Sequence, residues 1–211
     1  MPHNPFETHA SVYDQWYEDF PAIFRSELVA LRAILPPKGT WAEIGVGTGR
    51  FASELGIQIG IEPAESMAAL ARSRGINVIR GVAEAVPLES ASLDAVFFIT
   101  TLCFVENVQT AILEAYRVLK PAGHCIIGLL PRDSALGQAT HAQAEQDLFF
   151  KDACLQTKAE VLCALETAGF SLQLSCQTLM GDPSTFASCR PVQEPGYDRG
   201  SFVVFRASKA L

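Results

Sequence analysis

The residues with the clearest chemical purpose stand at 43–50, Glu43-Ile44-Gly45-Val46-Gly47-Thr48-Gly49-Arg50. The segment follows a short apolar run and leads into a helical pattern. Glycine at such a turn lets the backbone bend sharply and approach a ligand where a Cβ would collide. The helix start beyond it offers unpaired N–H groups. Three ligand chemistries compete for the loop. A phosphate-gripping loop needs Gly-x-x-x-x-Gly-Lys and then Ser or Thr, and no lysine follows here. A dinucleotide loop needs Gly-x-Gly-x-x-Gly, and Arg50 takes the place of its third glycine. What remains is Glu-x-Gly-x-Gly-x-Gly, with a carboxylate two residues before the first glycine. That charge disfavours a pyrophosphate and suits a ligand carrying an ammonium group. A glycine-rich turn without chemical meaning is the plain alternative.

Two further acids narrow the choice. Glu62 ends the next apolar run, Ile57-Gln58-Ile59-Gly60-Ile61-Glu62-Pro63. A carboxylate at the tip of a second strand can accept both ribose hydroxyls of an adenosine; otherwise it is a solvated loop acid. The third run leads into Gly81-Val82-Ala83-Glu84-Ala85-Val86-Pro87-Leu88. There Glu84 could accept from an adenine amino group while a neighbouring backbone N–H meets a ring nitrogen. Three acids each ending a successive strand, in a common crevice, suit an uncharged adenosine with a cationic amino-acid tail. S-adenosylmethionine meets that description.

The elements that must position these residues are legible as alternating patterns. Phe20, Ile23, Phe24, Leu28, Leu31 and Leu35 make one helical face that Pro36-Pro37 ends, and the aromatic-rich stretch 12–17 before it also reads as helix. From about residue 40, apolar runs at 40–45, 57–62, 77–81, 94–100 and 124–130 alternate with helices. Short runs apolar throughout suit strands covered on both faces, hence a parallel sheet. Val108, Ile112, Ala115 and Leu119 share a helical face. Thr157 with Glu160 forms a capping box for a helix lined by Val161, Leu165 and Ala168 and closed by Gly169. Residues 170–179 and 201–207 read as two late strands. Five βα units and two late strands predict an α/β, Rossmann-like three-layer sandwich, with a seven-stranded, mostly parallel sheet and an antiparallel last strand.

Bulk properties bound the rest. The chain has 211 residues, 49% of them hydrophobic and 18% charged, which suits one domain over 1–211 with its own core. A helical cap at about 8–36 and a lid segment at about 131–156 are expected as elaborations. No run approaches the roughly 18 apolar residues that span a bilayer, and the N-terminus lacks a basic-then-apolar leader, so a cytoplasmic location is expected. The net charge of −7 repels phosphate backbones, and Arg72-Ser73-Arg74 with Arg80 falls short of a basic patch, so long nucleic acid is a poor candidate substrate. The six cysteines at 103, 125, 154, 163, 176 and 189 never form Cys-x-x-Cys. They read as structural thiols, Cys125 and Cys163 among them as small buried hydrophobes.

In combination these motifs resemble the class I S-adenosylmethionine-dependent methyltransferases, in the small branch similar to the ubiquinone/menaquinone biosynthesis enzymes (methyltransferase type 11). The resemblance covers about residues 10–207. Its carriers are 43–49, Gly60-Ile61-Glu62-Pro63, Ala83-Glu84 with Pro87-Leu88, Leu93-Asp94-Ala95-Val96, and the stretch from Glu114 through Gly123. One departure is Ala122, where the family commonly has glycine. The resemblance implies that Glu43, Gly45, Gly47, Gly49, Glu62, Pro63, Ala83 and Glu84 bind the cofactor. It implies that Met67 packs on the adenine, or serves as plain helix core. Thr100 and Thr101 would lie beside the methionine portion, and Tyr13 and Tyr17 would cover the cofactor, or simply pack.

Methyl transfer from a sulfonium needs alignment and exclusion of water more than acid–base help, and the motifs name no catalytic base. His124 reads as structural, His141 lies in the lid segment, and His3 and His9 are near the N-terminus. No acid cluster for a metal follows the fourth strand. Segments 131–156 and 181–200 emerge at the cofactor face and are expected to shape the acceptor pocket with residues 10–20. The function expected is methyl transfer to a small-molecule acceptor. A silent cofactor-binding regulator, and a methyltransferase of protein or RNA, are the alternatives.

Overall fold

The computed structural model describes residues 4–210. Three helices lead the chain: α1 (Pro5–Thr8), α2 (Ala10–Asp19) and α3 (Pro21–Ala33). The alternating part follows: β1 (Trp41–Ile44), α4 (Arg50–Leu55), β2 (Ile59–Glu62), α5 (Glu65–Ser73), β3 (Asn77–Arg80), β4 (Leu93–Ile99), α6 (Val108–Val118) and β5 (Leu119–Leu129). After α7 (Ala135–Gln143) and α8 (Lys158–Thr167) come β6 (Phe170–Met180), β7 (Glu194–Pro195) and β8 (Gly200–Lys209). The strands form one sheet in the order β3-β2-β1-β4-β5-β8-β6-β7. The pairs from β3 to β5 are parallel, and β8 is antiparallel to both of its neighbours.

Alternation along the strands builds two cores, one on each face. Trp41, Phe97, Ile99, Phe202 and Val204 face a layer that includes Leu28 and Leu31 of α3, Phe51 of α4 and Ala68 of α5. Ala42, Val96, Phe98, Val203 and Phe205 face Ala111, Ile112 and Ala115 of α6 with Val161 and Leu165 of α8. Phe97 and Phe98, adjacent in β4, point to opposite cores, as a period of two requires. The three-layer Rossmann-like expectation holds.

Four details differ from the sequence reading. The sheet has eight strands, because two residues after β6 pair back to it at Cys176 and Gln177; so short a strand leaves no alternation to read. No helix connects β3 to β4. Pro87 interrupts that loop, and α6 supplies its partners instead: Glu114 accepts from the Val86 N–H at 2.8 Å, while Arg117 donates to the carbonyls of Val86 at 2.8 Å and Leu88 at 2.9 Å. The fifth strand begins at Leu119, directly on α6, rather than at His124. Cys163 is exposed, on the side of α8 away from buried Val161 and Leu165, whereas Cys125 is buried as expected. The capping box at Thr157 and Glu160 is present.

Ala122 adopts φ +61° in the turn inside β5. The left-handed region costs a side-chain-bearing residue about 1–2 kcal/mol, and glycine escapes most of it. The departure from the family pattern at this position is therefore a local strain. Ala122→Gly is expected to stabilise the protein by about 0.5 kcal/mol, since part of the relief is offset by added freedom in the unfolded chain. A higher urea midpoint at unchanged slope would bear this out; a lower one would contradict it.

Candidate functional site

The sheet order reverses between β1 and β4, and ligands of open α/β sheets bind beyond the C-terminal strand ends at such a point. Gly45 leaves β1 there at φ +71°, its N–H donating to the Ile61 carbonyl at 2.8 Å. A Cβ at Gly45 would overlap the Thr101 side chain. Gly47, at φ +53°, has open space where its Cβ would stand, so this part of the loop presents bare backbone. Gly49 caps α4 and lies close against Ala71 of α5.

A crevice of about 480 Å³ opens at these strand ends, within the usual range for small-molecule sites. Of the residues singled out in the sequence, Tyr13, Gly45, Gly47, Glu62, Pro63, Met67, Ala83, Glu84, Thr100 and Thr101 line it. Glu43, Gly49 and Tyr17 are absent from its wall. Glu62 accepts from the Gly47 N–H at 2.9 Å through Oε2 and from the Ala64 N–H at 3.0 Å through Oε1. Burial raises its carboxyl above the ordinary value, against those two donors. Met67 is buried on α5, in contact with a cluster that includes Phe6 and Tyr13. Thr100 follows β4 directly and holds φ +51°, a strained backbone of the kind that concentrates at ligand sites.

The three expected acids do not behave alike. Glu43 is 2% exposed, and its Oε2 has no hydrogen-bond partner. Burial, and then the Glu62 charge, push its carboxyl well above the normal range, while the Ala52 N–H opposes them. Glu84 does not end a strand. It sits in the irregular β3–β4 connection, where Oε1 accepts from the N–H groups of Glu106 at 2.7 Å and Asn107 at 3.1 Å and so fixes the approach to α6. Tyr17 stands behind Tyr13, the two hydroxyls 3.3 Å apart, and burial pushes the Tyr13 hydroxyl up to about 12.

Several residues of the wall were not named individually from the sequence. Asn4, Pro5, Phe6, Phe104, Val105, Glu106, Phe149 and Asp152 also line the crevice. Phe149 and Asp152 come from the 131–156 segment, as expected of a long connection. The 181–200 segment contributes no wall residue; Phe186, its buried ring, goes into the core under α3 instead. His124 and His141 stand outside the crevice, and His3 lies outside the described residues. Among the described residues the wall carries no Lys, Arg or His, and no cluster of metal-ligating side chains forms.

Arg50 has a positive role that its failure to be glycine concealed. It grips α2 from the start of α4, donating to both Asp14 oxygens at 3.0 and 2.7 Å and to Glu18 at 2.5 Å. Arg74 joins Asp14 at 2.8 Å and also donates to the Thr48 carbonyl at 2.7 Å. The helix that carries Tyr13 is thus tied to the glycine loop by a charged network. Burial alone would raise the Asp14 carboxyl, but the hydrogen bonds from Arg50 and Arg74 prevail and lower it to about 2.

Residues 42–127 match the family described as "Methyltransferase domain". A crystal structure of an S-adenosylmethionine-dependent methyltransferase of Thermotoga maritima, described as a possible histamine N-methyltransferase, is 40% identical. It superposes with a TM-score of 0.92 over 97% of this chain and 98% of that one. An uncharacterized protein of Methanocaldococcus jannaschii is 38% identical over 98% of this chain and 99% of its own length. A malonyl-[acyl-carrier protein] O-methyltransferase of Methylococcus capsulatus is 29% identical over 81% of this chain and 66% of its own.

Because the Asp14 carboxyl is depressed in the folded protein, its network contributes fully above about pH 4, the unfolded value, and is lost as pH falls toward 2. Trp16, on α2, should report that release by its emission in a Trp41→Phe background. Arg50→Gln should weaken the attachment by on the order of 1 kcal/mol, given the partial exposure of the pairs, and should speed proteolysis of the N-terminal helices at neutral pH. Unchanged proteolysis would count against the latch.

Proposed function

The chain belongs to the class I S-adenosylmethionine-dependent methyltransferases of type 11, and on that premise we propose that it transfers a methyl group from S-adenosylmethionine, held in this crevice, to a small-molecule acceptor. The observation that carries the reading is Glu62: a buried carboxylate at the tip of β2, each oxygen anchored by a backbone N–H, on the crevice wall. Anchored in this way, it keeps lone pairs for two vicinal ribose hydroxyls. Met67 and Ala83 supply apolar walls for an adenine, and Glu84 a nearby acceptor. Glu43 lies behind that wall rather than on it, and a cationic tail drawn toward it would relieve a buried acid that has an unpartnered oxygen and Glu62 as its neighbour.

S-adenosylmethionine, when bound, supplies a methyl group already activated by its sulfonium. The chain's own residues have the remaining tasks. Gly45, Thr100 and Thr101 shape the wall beside β1 and β4, where close packing limits how a ligand can turn. The N-terminal helices, latched through Arg50, and the 131–156 segment acting as a lid exclude water. Cytoplasmic action is part of the proposal; six free thiols suit a reducing compartment.

Calorimetric titration tests the reading. S-adenosylmethionine and S-adenosylhomocysteine should both bind, and NAD should not. Glu62→Gln should weaken binding about tenfold or more, the usual scale for charge-assisted hydrogen bonds. Binding of NAD without S-adenosylmethionine would sink the proposal. Release of S-adenosylhomocysteine with some member of an acceptor library distinguishes an enzyme from a silent binder.

A further inference from the structure

The outer end of the crevice has a chemistry that an adenosine does not account for. Four rings from separate stretches of chain meet there: Phe6 of α1, Tyr13 of α2, Phe104 in the turn after β4, and Phe149 between α7 and α8. Phe6 touches the other three, with centroids 5.7, 4.9 and 5.5 Å away, and Tyr13 lies 5.2 Å from Phe149. Each ring is only part-buried and each lines the cavity. Phe104 and Phe149 belong to neither core of the sheet, and Phe6 packs beside Met67, while Tyr13 also touches the core on the α3 side. The same wall carries Glu106 and Asp152, with Glu62 and Glu84 further in, and no basic side chain among the described residues. The net charge of −7 adds a field of the same sign.

We propose that this aromatic, acid-edged end of the crevice binds the methyl acceptor as a small organic amine arriving as its ammonium ion. The proposal rests on the reading of the inner end as the S-adenosylmethionine site. Ring faces attract a cation through their quadrupole, most strongly where water is excluded, and carboxylates at the rim add to that attraction. A carboxylate or phosphate acceptor would face four acids with no compensating charge, so the site rejects anions as well as selecting cations. The chemistry balances. The ammonium gives one proton to solvent at the exposed Asp152 rim. The freed nitrogen lone pair forms the new N–C bond as the methyl group's bond to sulfur breaks, and that electron pair stays on sulfur. The positive charge passes to the methylated nitrogen.

The test uses three ligands with one body and different charges: 2-phenylethylamine, 2-phenylethanol and phenylacetate. Each is titrated calorimetrically into the protein saturated with S-adenosylhomocysteine, whose sulfur is neutral, so that the donor draws on the inner acids only through its ribose and ammonium tail and leaves Glu106 and Asp152 to the acceptor. The amine should bind about tenfold or more tighter than the alcohol, and phenylacetate should not bind measurably. Asp152→Asn should reduce the preference for amine over alcohol about threefold, and Phe149→Leu should weaken the amine more than the alcohol. Equal affinity of amine and alcohol, or preference for phenylacetate, overturns the inference and leaves the cofactor reading intact. Failure of S-adenosylhomocysteine itself to bind removes that reading, and this inference with it.

Discussion

Glu62 couples the two segments from which the rest of the crevice takes its position. One oxygen holds the glycine loop after β1 through Gly47, and the other holds the start of α5 through Ala64. A carboxylate buried to 6% exposure would be expensive without such donors. The two N–H groups come from elements that parallel pairing already places together, with Glu43 opposite Gly60 and Ile44 opposite Ile61. Gly60 is part of the same fit, since a Cβ there would press on Val46 at 2.5 Å. Sheet register, loop conformation and the crevice-lining acid are thus one packing solution.

The outer half of the crevice depends on a different force. The helices before the sheet fit onto it through apolar contacts, but the network of Arg50, Arg74, Asp14 and Glu18 sets where α2 lies. Arg50 also approaches the Tyr17 ring at 5.7 Å. Tyr13, and through it Phe6, are therefore placed from the glycine loop itself. The glycine loop and the N-terminal helices share one mechanical connection, so a disturbance at either end reaches the other.

A third feature is the imbalance of charge. Glu43 and Glu27 are both buried, and burial raises the Glu27 carboxyl to about 8. The protein tolerates these groups near its site with the cations turned outward to α2, α5 and the surface. Burial favours the uncharged form of these two acids, so the potential that favours incoming positive charge comes from the acids on the crevice wall, which carries no basic side chain among the described residues. An adenosine is indifferent to it, and a sulfonium with an ammonium tail is helped by it.

The sheet, its parallel character and the inner site were legible in the sequence because they are local. Apolar runs, a glycine loop and an acid at a strand tip each show within a few residues. Gly45, Gly47 and Glu62 stand on the crevice wall where those patterns led, and Tyr13, Met67 and Thr100, which the family resemblance alone indicated, stand there too. Glu84 was located but given the wrong support, because the loop around it has no period and takes its hydrogen bonds from Glu114 and Arg117 of α6. The aromatic wall was hidden for the same reason. Phe6, Phe104 and Phe149 carry no spacing that links them, and only the folding of the cap and the 131–156 segment over the strand ends brings their rings together. Periodicity indicated the layers and strand tips, and the glycine motif with its spaced acids indicated Gly45, Gly47 and Glu62 of the crevice wall. Tertiary structure alone decided which side chains close the far end of the crevice, since contacts between segments a hundred residues apart are settled by packing and charge across the whole fold.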